Sequence, residues 1–364
     1  MNLREEVKSR NLPPLKSRKE MVEIIQRELF GYLPNPKFEY SVSEPTDVES
    51  RYGYATVTMS YVTMTIKIGE KSHSFRVDRL LHTDGKKRPL VIVNNFHQMM
   101  TVIKGQYFPI EEMAEYDVNY LYIYYEDITS DDGDFSTGLA PMLLPNGQDT
   151  DTTCGKIGIW AWANMRVMDY AQTLDCVDKS NICICGHSRL GKTSLFTGMM
   201  DERFKFVFSN AAGCAGDSLA HGNSGFAKRG QPTYDRGELI EDIVRNFPYW
   251  FCKNYHKYAK DSISNEFDQH FLVASIAPRY VLIGSCEDDA WADQHSQQLC
   301  ALAASEAWEK AGLTGLVNCD KEYVRAGEGS IDGHVGFFMI KGRHYLSRHS
   351  WKWCIDFIIK HKND

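Results

Sequence analysis

Residues 186–193 read Gly186-His187-Ser188-Arg189-Leu190-Gly191-Lys192-Thr193 and follow the apolar run Asn181-Ile182-Cys183-Ile184-Cys185. A helix-like stretch comes next, so this segment is a predicted strand-to-helix turn. It matches two motifs. As G-x-x-x-x-G-K-[ST] it is a P-loop, whose backbone amides bind phosphates while lysine and threonine contact the terminal phosphate and magnesium. As G-x-S it is a nucleophile elbow, in which Ser188 is exposed on a tight turn and the N–H of Arg189 helps to stabilise an oxyanion.

The P-loop interpretation needs a second motif, an apolar strand that ends in a magnesium-binding Asp. The apolar runs at 204–208 and 280–283 lead instead into Ser209 and Gly284. Upstream, residues 120–127 end in an acid but would serve only in a permuted order.

The elbow interpretation needs an acid and then a histidine, each placed after a later strand. The run 280–283 is followed by the acidic cluster Glu287-Asp288-Asp289, and the predicted strand 335–340 is followed by His344. Open parallel sheets bind ligands at the carboxyl ends of their strands, so Ser188, the acidic cluster and His344 are expected to meet there. The sequence therefore favours the elbow.

The usual elbow has its second glycine two residues after the serine, whereas Gly191 comes three after Ser188. With this late glycine the segment resembles the G-x-S-R-x-G-K elbow of glucuronoyl esterases and the related bacterial acetyl-xylan-esterase-like proteins. Further segments resemble that family: Asp201-Glu202-Arg203-Phe204, Asn246-Phe247-Pro248-Tyr249-Trp250-Phe251, Phe267-Asp268-Gln269-His270, Ile276-Ala277-Pro278-Arg279 and Asp289-Ala290-Trp291-Ala292-Asp293. The resemblance extends from about residue 88 to the C-terminus, and residues 1–75 match only loosely.

The resemblance implies an α/β-hydrolase fold and a serine carbohydrate esterase that needs no cofactor. Its substrate would be an acetyl or glucuronoyl ester on decorated xylan-type oligosaccharides, cleaved through an acyl-enzyme. Ser188 would be the nucleophile and His344 the general base. His334 is an alternative base, but it precedes the last predicted strand and is expected at the opposite edge of the sheet.

The third member of the triad is less directly implied. The fungal branch carries a Glu on the loop after the strand that follows the elbow, but residues 209–214 hold no carboxylate here. The acid is therefore expected in the later loop, at Asp289, which precedes Trp291 by the family spacing. Asp288 and Glu287 are the alternatives.

The resemblance also implies that Arg189 assists the oxyanion hole and that Lys192 and Trp291 contact the sugar. The alternatives are a solvated Lys192 and a Trp291 that only packs. The second oxyanion N–H is expected from the loop after residues 89–93, near Phe96 or His97.

Composition fits an enzyme of this class. The chain has 364 residues, 43% of them hydrophobic, which suffices for one large core with insertions. A net charge of −7 and the lack of a basic tract predict no nucleic-acid partner and no binding to an anionic membrane. Ten Cys occur without a C-x-x-C pair or a zinc-type cluster, so neither a metal site nor a disulfide framework is expected.

The first residues, 1–8, are charged and lack the apolar stretch of a signal peptide. Together with the cysteine usage, this predicts a cytoplasmic protein that acts on imported oligosaccharides. The alternative is a secreted protein whose leader has been trimmed.

We expect a single domain. Residues 1–87 should form an N-terminal helix (18–30) and antiparallel strands (38–81), and residues 88–364 a mostly parallel sheet with helices on both faces. An insertion at about 217–265 should shape the substrate cleft as a cap. Two other functions stay open, a P-loop nucleotide-binding protein and a non-catalytic sugar-binding relative; the sequence does not predict the oligomeric state.

Overall fold

The computed structural model describes residues 2–48, 57–97, 110–221, 236–260 and 266–364. The helices are α1 (Leu3–Ser9), α2 (Arg18–Ile25), α3 (Ile110–Glu115), α4 (Ala140–Leu143), α5 (Lys156–Ala171), α6 (Arg189–Met200), α7 (Ile240–Asn246), α8 (His270–Ala274), α9 (Gln294–Ala304), α10 (Glu306–Lys310) and α11 (Arg348–His361). The strands are β1 (Glu39–Val42), β2 (Thr46–Asp47), β3 (Val57–Ile68), β4 (Lys71–His82), β5 (Arg88–Asn95), β6 (Asn119–Tyr124), β7 (Val177–His187), β8 (Phe206–Asn210), β9 (Tyr280–Cys286), β10 (Gly329–Ser330) and β11 (Val335–Ile340).

In these described ranges one sheet of eleven strands has the order β1-β3-β4-β6-β5-β7-β8-β9-β11-β10, with β2 paired to β3. The centre, from β6 to β11, is parallel. The N-terminal strands are antiparallel and join the centre where β4 pairs with β6. The described strands before residue 88 thus extend the same sheet. The α/β-hydrolase fold predicted from the resemblance is confirmed.

Both faces of the parallel centre are covered. Leu90 and Ile92 of β5 belong to the larger apolar layer, under α2, α5, α6, α8 and α9. Val91 and Val93 point the other way, into the layer under α3 and α11. This alternation follows from the period of two in a strand, and burial on both faces explains why the core strands are continuous apolar runs.

Two helical segments are interrupted. The segment 18–30 is α-helical to Ile25 and continues as a π-helix at Gln26–Phe30. The segment 294–310 breaks at Ser305, whose hydroxyl donates to the Ala301 carbonyl and accepts the N–H of Leu316. A serine hydroxyl that bonds the backbone in this way competes with regular helix continuation.

Parts of the predicted insertion, 222–235 and 261–265, lie outside the described residues. The described part holds α7 and two 3₁₀ helices, Pro248–Trp250 and Lys253–Ala259. No helix in the described ranges is long and apolar enough to span a bilayer. All ten cysteines are described and none is in a disulfide; the cytoplasmic location stays a prediction.

Candidate active site

The elbow is a one-residue turn. Strand β7 ends at His187 and helix α6 begins at Arg189, so Ser188 alone reverses the chain, with φ 59° and ψ −127°. Its N–H donates to the Asn210 carbonyl at 2.8 Å. A non-glycine residue in this region of backbone space costs on the order of 1–3 kcal/mol and is held by its surroundings. The turn places Ser188 at the carboxyl end of β7.

Two glycines allow this turn. A Cβ at Gly186 would lie 2.1 Å from the Leu190 carbonyl oxygen, so the strand can approach the helix start only with glycine there. A Cβ at Gly191 would lie 3.0 Å from Ser209 Oγ and 3.1 Å from Ala212 Cβ. The late glycine therefore sits where α6 passes the loop that follows β8.

This geometry excludes the P-loop alternative. A single residue between strand and helix cannot form the wide loop of amides that binds phosphates. The ammonium of Lys192 donates to the Ala212 carbonyl. The hydroxyl of Thr193 donates at 3.0 Å to the Arg189 carbonyl of its own helix. Both side chains are buried, so neither is directed at a phosphate or magnesium.

His344 and Asp289 are in direct contact. Nδ1 of His344 lies 2.6 Å from Oδ2 of Asp289, and the Asp289 side chain is only 3% exposed. The two residues follow β11 and β9, neighbouring parallel strands. The alternatives Glu287 and Asp288 are exposed on the same loop. Of the three acids, Asp289 alone has a described hydrogen bond to His344.

The alternative base His334 lies elsewhere. It precedes β11, its Nδ1 is 3.1 Å from the Thr314 carbonyl, and its ring stacks on Tyr280 at 4.5 Å. It is therefore at the amino end of the strands, opposite Ser188. His270 is also away from the elbow, where its Nε2 lies 2.9 Å from the Pro13 carbonyl oxygen.

A second histidine lies against His344. The ring centroids of His187 and His344 are 4.4 Å apart, and His187 is buried. Burial, with a smaller contribution from His344, lowers the pKa of His187 well below its ordinary value. The buried ring of His187 therefore packs against His344 in its neutral form.

A cleft of about 210 Å³ opens beside the elbow. It is lined by Ser188, Arg189, Lys192, Ala211, Ala212, Gly213, Glu238, Phe247, Trp250, Trp291, Ala292 and His344. Five residues named from the sequence thus share one cleft, and Asp289 lies behind His344. The other seven were not assigned to the site from the sequence, and three of these, Glu238, Phe247 and Trp250, lie in the predicted insertion between β8 and β9.

The prediction for Phe96 is not supported. Its N–H donates to the side-chain oxygen of the preceding Asn95 at 2.8 Å and is therefore already bonded. Its ring instead lies 5.3 Å from the Arg189 guanidinium. The N–H of Arg189, at the first position of α6, has no acceptor within the helix and fits the predicted oxyanion role.

Lys192 and Glu238 form the polar floor of the cleft. Lys192 is 3% exposed, so it is not a solvated lysine, and its ammonium lies 6.0 Å from the Trp250 ring. Glu238 is 8% exposed. Burial raises the pKa of Glu238 to about 7, although Lys192 opposes the rise. Glu238 could not be predicted as a site residue because it belongs to no motif and reaches the cleft only through the fold.

The pKa of Glu238 predicts a pH-dependent stability. Between its ordinary value of 4.5 and about 7, the folded protein retains a proton that the unfolded chain releases. Stability from this group is therefore fully present below pH 4.5 and is lost as the pH rises through 7, by up to about 3 kcal/mol. We expect Glu238→Gln to match the wild type in Tm near pH 4.5 and to exceed it by several degrees at pH 8.

The control for this prediction is Glu44→Gln, which removes an exposed carboxylate far from the cleft. Its Tm should follow the wild type over the whole range. A Glu238→Gln curve that runs parallel to the wild-type curve would show that Glu238 titrates as an ordinary glutamate.

Within the described ranges no group of three His, Cys, Asp or Glu side chains could hold a metal ion.

A family model described as "Glucuronyl esterase, fungi" matches residues 65–312, more than half of the chain. Carbohydrate esterase MZ0003, from an unknown prokaryotic organism, is 27% identical over 383 residues, covering 95% of this chain and 84% of that relative. The 4-O-methyl-glucuronoyl methylesterase of Podospora anserina is 25% identical over 299 residues. That match covers 81% of this chain but 56% of the fungal protein.

Solved structures of esterases also resemble this chain. A promiscuous CE15 esterase from a marine bacterial metagenome superposes with a TM-score of 0.81 and 25% identity, covering 95% of this chain and 91% of that one. The glucuronoyl esterase from Solibacter usitatus also gives a TM-score of 0.81 at 25% identity, with 96% and 97% covered.

Proposed function

Because this chain belongs to the glucuronyl esterase family, we propose that it hydrolyses the ester of a glucuronic acid carried by a xylan-type oligosaccharide. It is a serine carboxylic ester hydrolase and a carbohydrate esterase. The observation that supports the proposal most directly is the turn at Ser188 beside the bonded pair His344 and Asp289.

The cleft favours a uronate over an acetyl group. In a glucuronoyl ester the sugar is on the acyl side, whereas an acetyl ester needs only a small acyl pocket. The cleft beside Ser188 has a volume of about 210 Å³. An acetyl group would leave most of it empty. Buried Lys192 and Glu238 supply the polar partners that sugar hydroxyls require, and Trp291 supplies an aromatic wall.

In the first half of the proposed reaction, Oγ of Ser188 attacks the ester carbonyl while Nε2 of His344 takes its proton. Asp289 accepts the Nδ1–H of His344, which leaves Nε2 as the proton acceptor and stabilises the imidazolium that forms. The carbonyl oxygen becomes negative near the N–H and guanidinium of Arg189. Collapse of the tetrahedral intermediate breaks the bond to the alcohol, which leaves with the proton from His344.

In the second half, a water molecule attacks the acyl-enzyme and gives its proton to His344. The second tetrahedral intermediate releases the free uronic acid, and the proton returns to Ser188. No cofactor takes part in this scheme.

The test is a comparison of initial rates on a methyl glucuronate ester, an acetylated xylo-oligosaccharide and 4-nitrophenyl acetate. We expect the highest kcat/KM on the glucuronate ester. A higher value on the acetylated oligosaccharide would contradict the substrate assignment but not the esterase chemistry. Binding of the sugars without turnover of any ester would instead support the non-catalytic relative.

A further inference from the structure

A buried carboxylate outside the triad contacts the cleft wall. Asp131 lies on the loop between β6 and α4, and its side chain is 6% exposed. One carboxylate oxygen accepts a hydrogen bond from Nη1 of Arg189 and another from the Tyr125 hydroxyl at 3.0 Å. The other oxygen accepts the indole N–H of Trp250 at 2.7 Å. The backbone carbonyl of Asp131 accepts the Tyr249 hydroxyl at 2.9 Å.

The loop that carries Asp131 is itself fixed. The fully buried ammonium of Lys156 donates to Thr129 Oγ1 at 2.9 Å and to the Asp134 carbonyl at 2.6 Å. Asp131 lies between these two contacts along the chain. Asp131 is therefore fixed by Lys156 of α5, which holds its loop, and by Tyr249 and Trp250, which bond to it directly.

The Arg189 guanidinium has few other restraints. Its centre lies 4.5 Å from the Trp250 ring and 5.3 Å from the rings of Phe96 and Phe247. These apolar faces confine the group but do not fix its rotation. Among the described residues, Asp131 is its only hydrogen-bond partner, and the buried Nε has none. Because a guanidinium is a rigid planar fork, one anchored nitrogen fixes the direction of the remaining N–H groups.

We propose that Asp131 is a positioning residue, which holds the Arg189 guanidinium in the orientation that stabilises the oxyanion formed at Ser188. The inference rests on the proposed function. A donor that is aligned before reaction stabilises developing charge without reorganisation, so its alignment contributes to kcat rather than to substrate binding.

If only charge mattered, loss of the Asp131 carboxylate would raise kcat instead of lowering it. Without Asp131 the guanidinium would carry an uncompensated positive charge, which would attract the oxyanion more strongly. Orientation is expected to dominate because the carboxylate accepts three hydrogen bonds and an amide has only one acceptor oxygen. In Asp131→Asn the amide NH₂ must face either Arg189 or Trp250, and both are donors.

The test is Asp131→Asn on the glucuronate ester. We expect kcat to fall at least about 10-fold, with KM changed less than about 3-fold. The matched control is Asp132→Asn. Asp132 is the exposed neighbouring carboxylate, bonded to the Ser130 hydroxyl at 2.7 Å and the Asp134 N–H at 2.9 Å, and its loss should leave kcat unchanged.

The same substitution in an Arg189→Ala variant distinguishes a positioning role of Asp131 from a general loss of rigidity in the fold. In Arg189→Ala, the added Asp131→Asn change should have no further effect on kcat, because the group it positions is gone. A loosened fold would lower kcat in both backgrounds and would overturn the inference.

The outcomes distinguish the two proposals. If the wild type is active and the kcat of Asp131→Asn equals or exceeds the wild-type value, the positioning role is refuted and the proposed function is not. No turnover by the wild type on any ester would refute the proposed function and this inference with it.

Discussion

Ser188→Ala is expected to abolish turnover of every ester, with kcat lowered by about 10⁶-fold. Alanine removes the hydroxyl that forms the acyl-enzyme but keeps the Cβ and the strained backbone of the turn. The elbow glycines and the bond to the Asn210 carbonyl are unaffected, so Tm should stay close to that of the wild type. The measurement is kcat on the methyl glucuronate ester, with thermal unfolding recorded on the same preparations.

The matched control is Ser180→Ala. Ser180 is an exposed serine of the same strand, at the opposite end, where its hydroxyl donates to Asp178. We expect wild-type kcat from this variant. Activity of Ser188→Ala within about 100-fold of the wild type would mean that another group is the nucleophile, since a lost triad serine costs far more.

Asp289→Asn is expected to lower kcat by about 10⁴-fold, the second-largest effect. The amide would present N–H to Nδ1 of His344, so the imidazole would favour the tautomer that carries its proton on Nε2. That nitrogen could then no longer accept the proton of Ser188. The buried position of Asp289 makes the loss larger, because an imidazolium formed without it has no counter-ion.

Two neighbours serve as controls for this prediction. Asp288→Asn and Glu287→Gln remove exposed carboxylates from the same loop and should change kcat by less than about 3-fold. The measurement is kcat as a function of pH for all three variants. If the loss appears in Glu287→Gln or Asp288→Asn and not in Asp289→Asn, the acid has been misassigned.

The triad candidates were predictable because strand ends follow from the sequence. The apolar runs before Ser188, Asp289 and His344 are short and buried, and the carboxyl ends of parallel strands meet at one edge. The same rule separated His344 from His334, which precedes its strand. The structure adds the contact between His344 and Asp289, which spacing could not choose among three adjacent acids.

Other site residues were not predictable for physical reasons. Phe96 was named because it follows a strand, but a local bond from its N–H to Asn95 takes up the donor. Such a bond depends on one side-chain rotamer and leaves no pattern in the sequence. Glu238 and Asp131 reach the cleft through tertiary contacts across about 50 and 60 residues from the elbow. The late position of Gly191 is likewise explained only by a tertiary contact, its close approach to Ala212.

The cleft is built partly from strand ends and partly from the segment between β8 and β9, and this has an evolutionary consequence. Ser188, Asp289 and His344 follow strands β7, β9 and β11, whereas Glu238, Phe247 and Trp250 lie in the predicted insertion between β8 and β9. Insertions tolerate change better than a buried sheet. Substrate range can therefore diverge among descendants of this chain by mutation of the insertion, while the inherited chemistry at the strand ends stays constant.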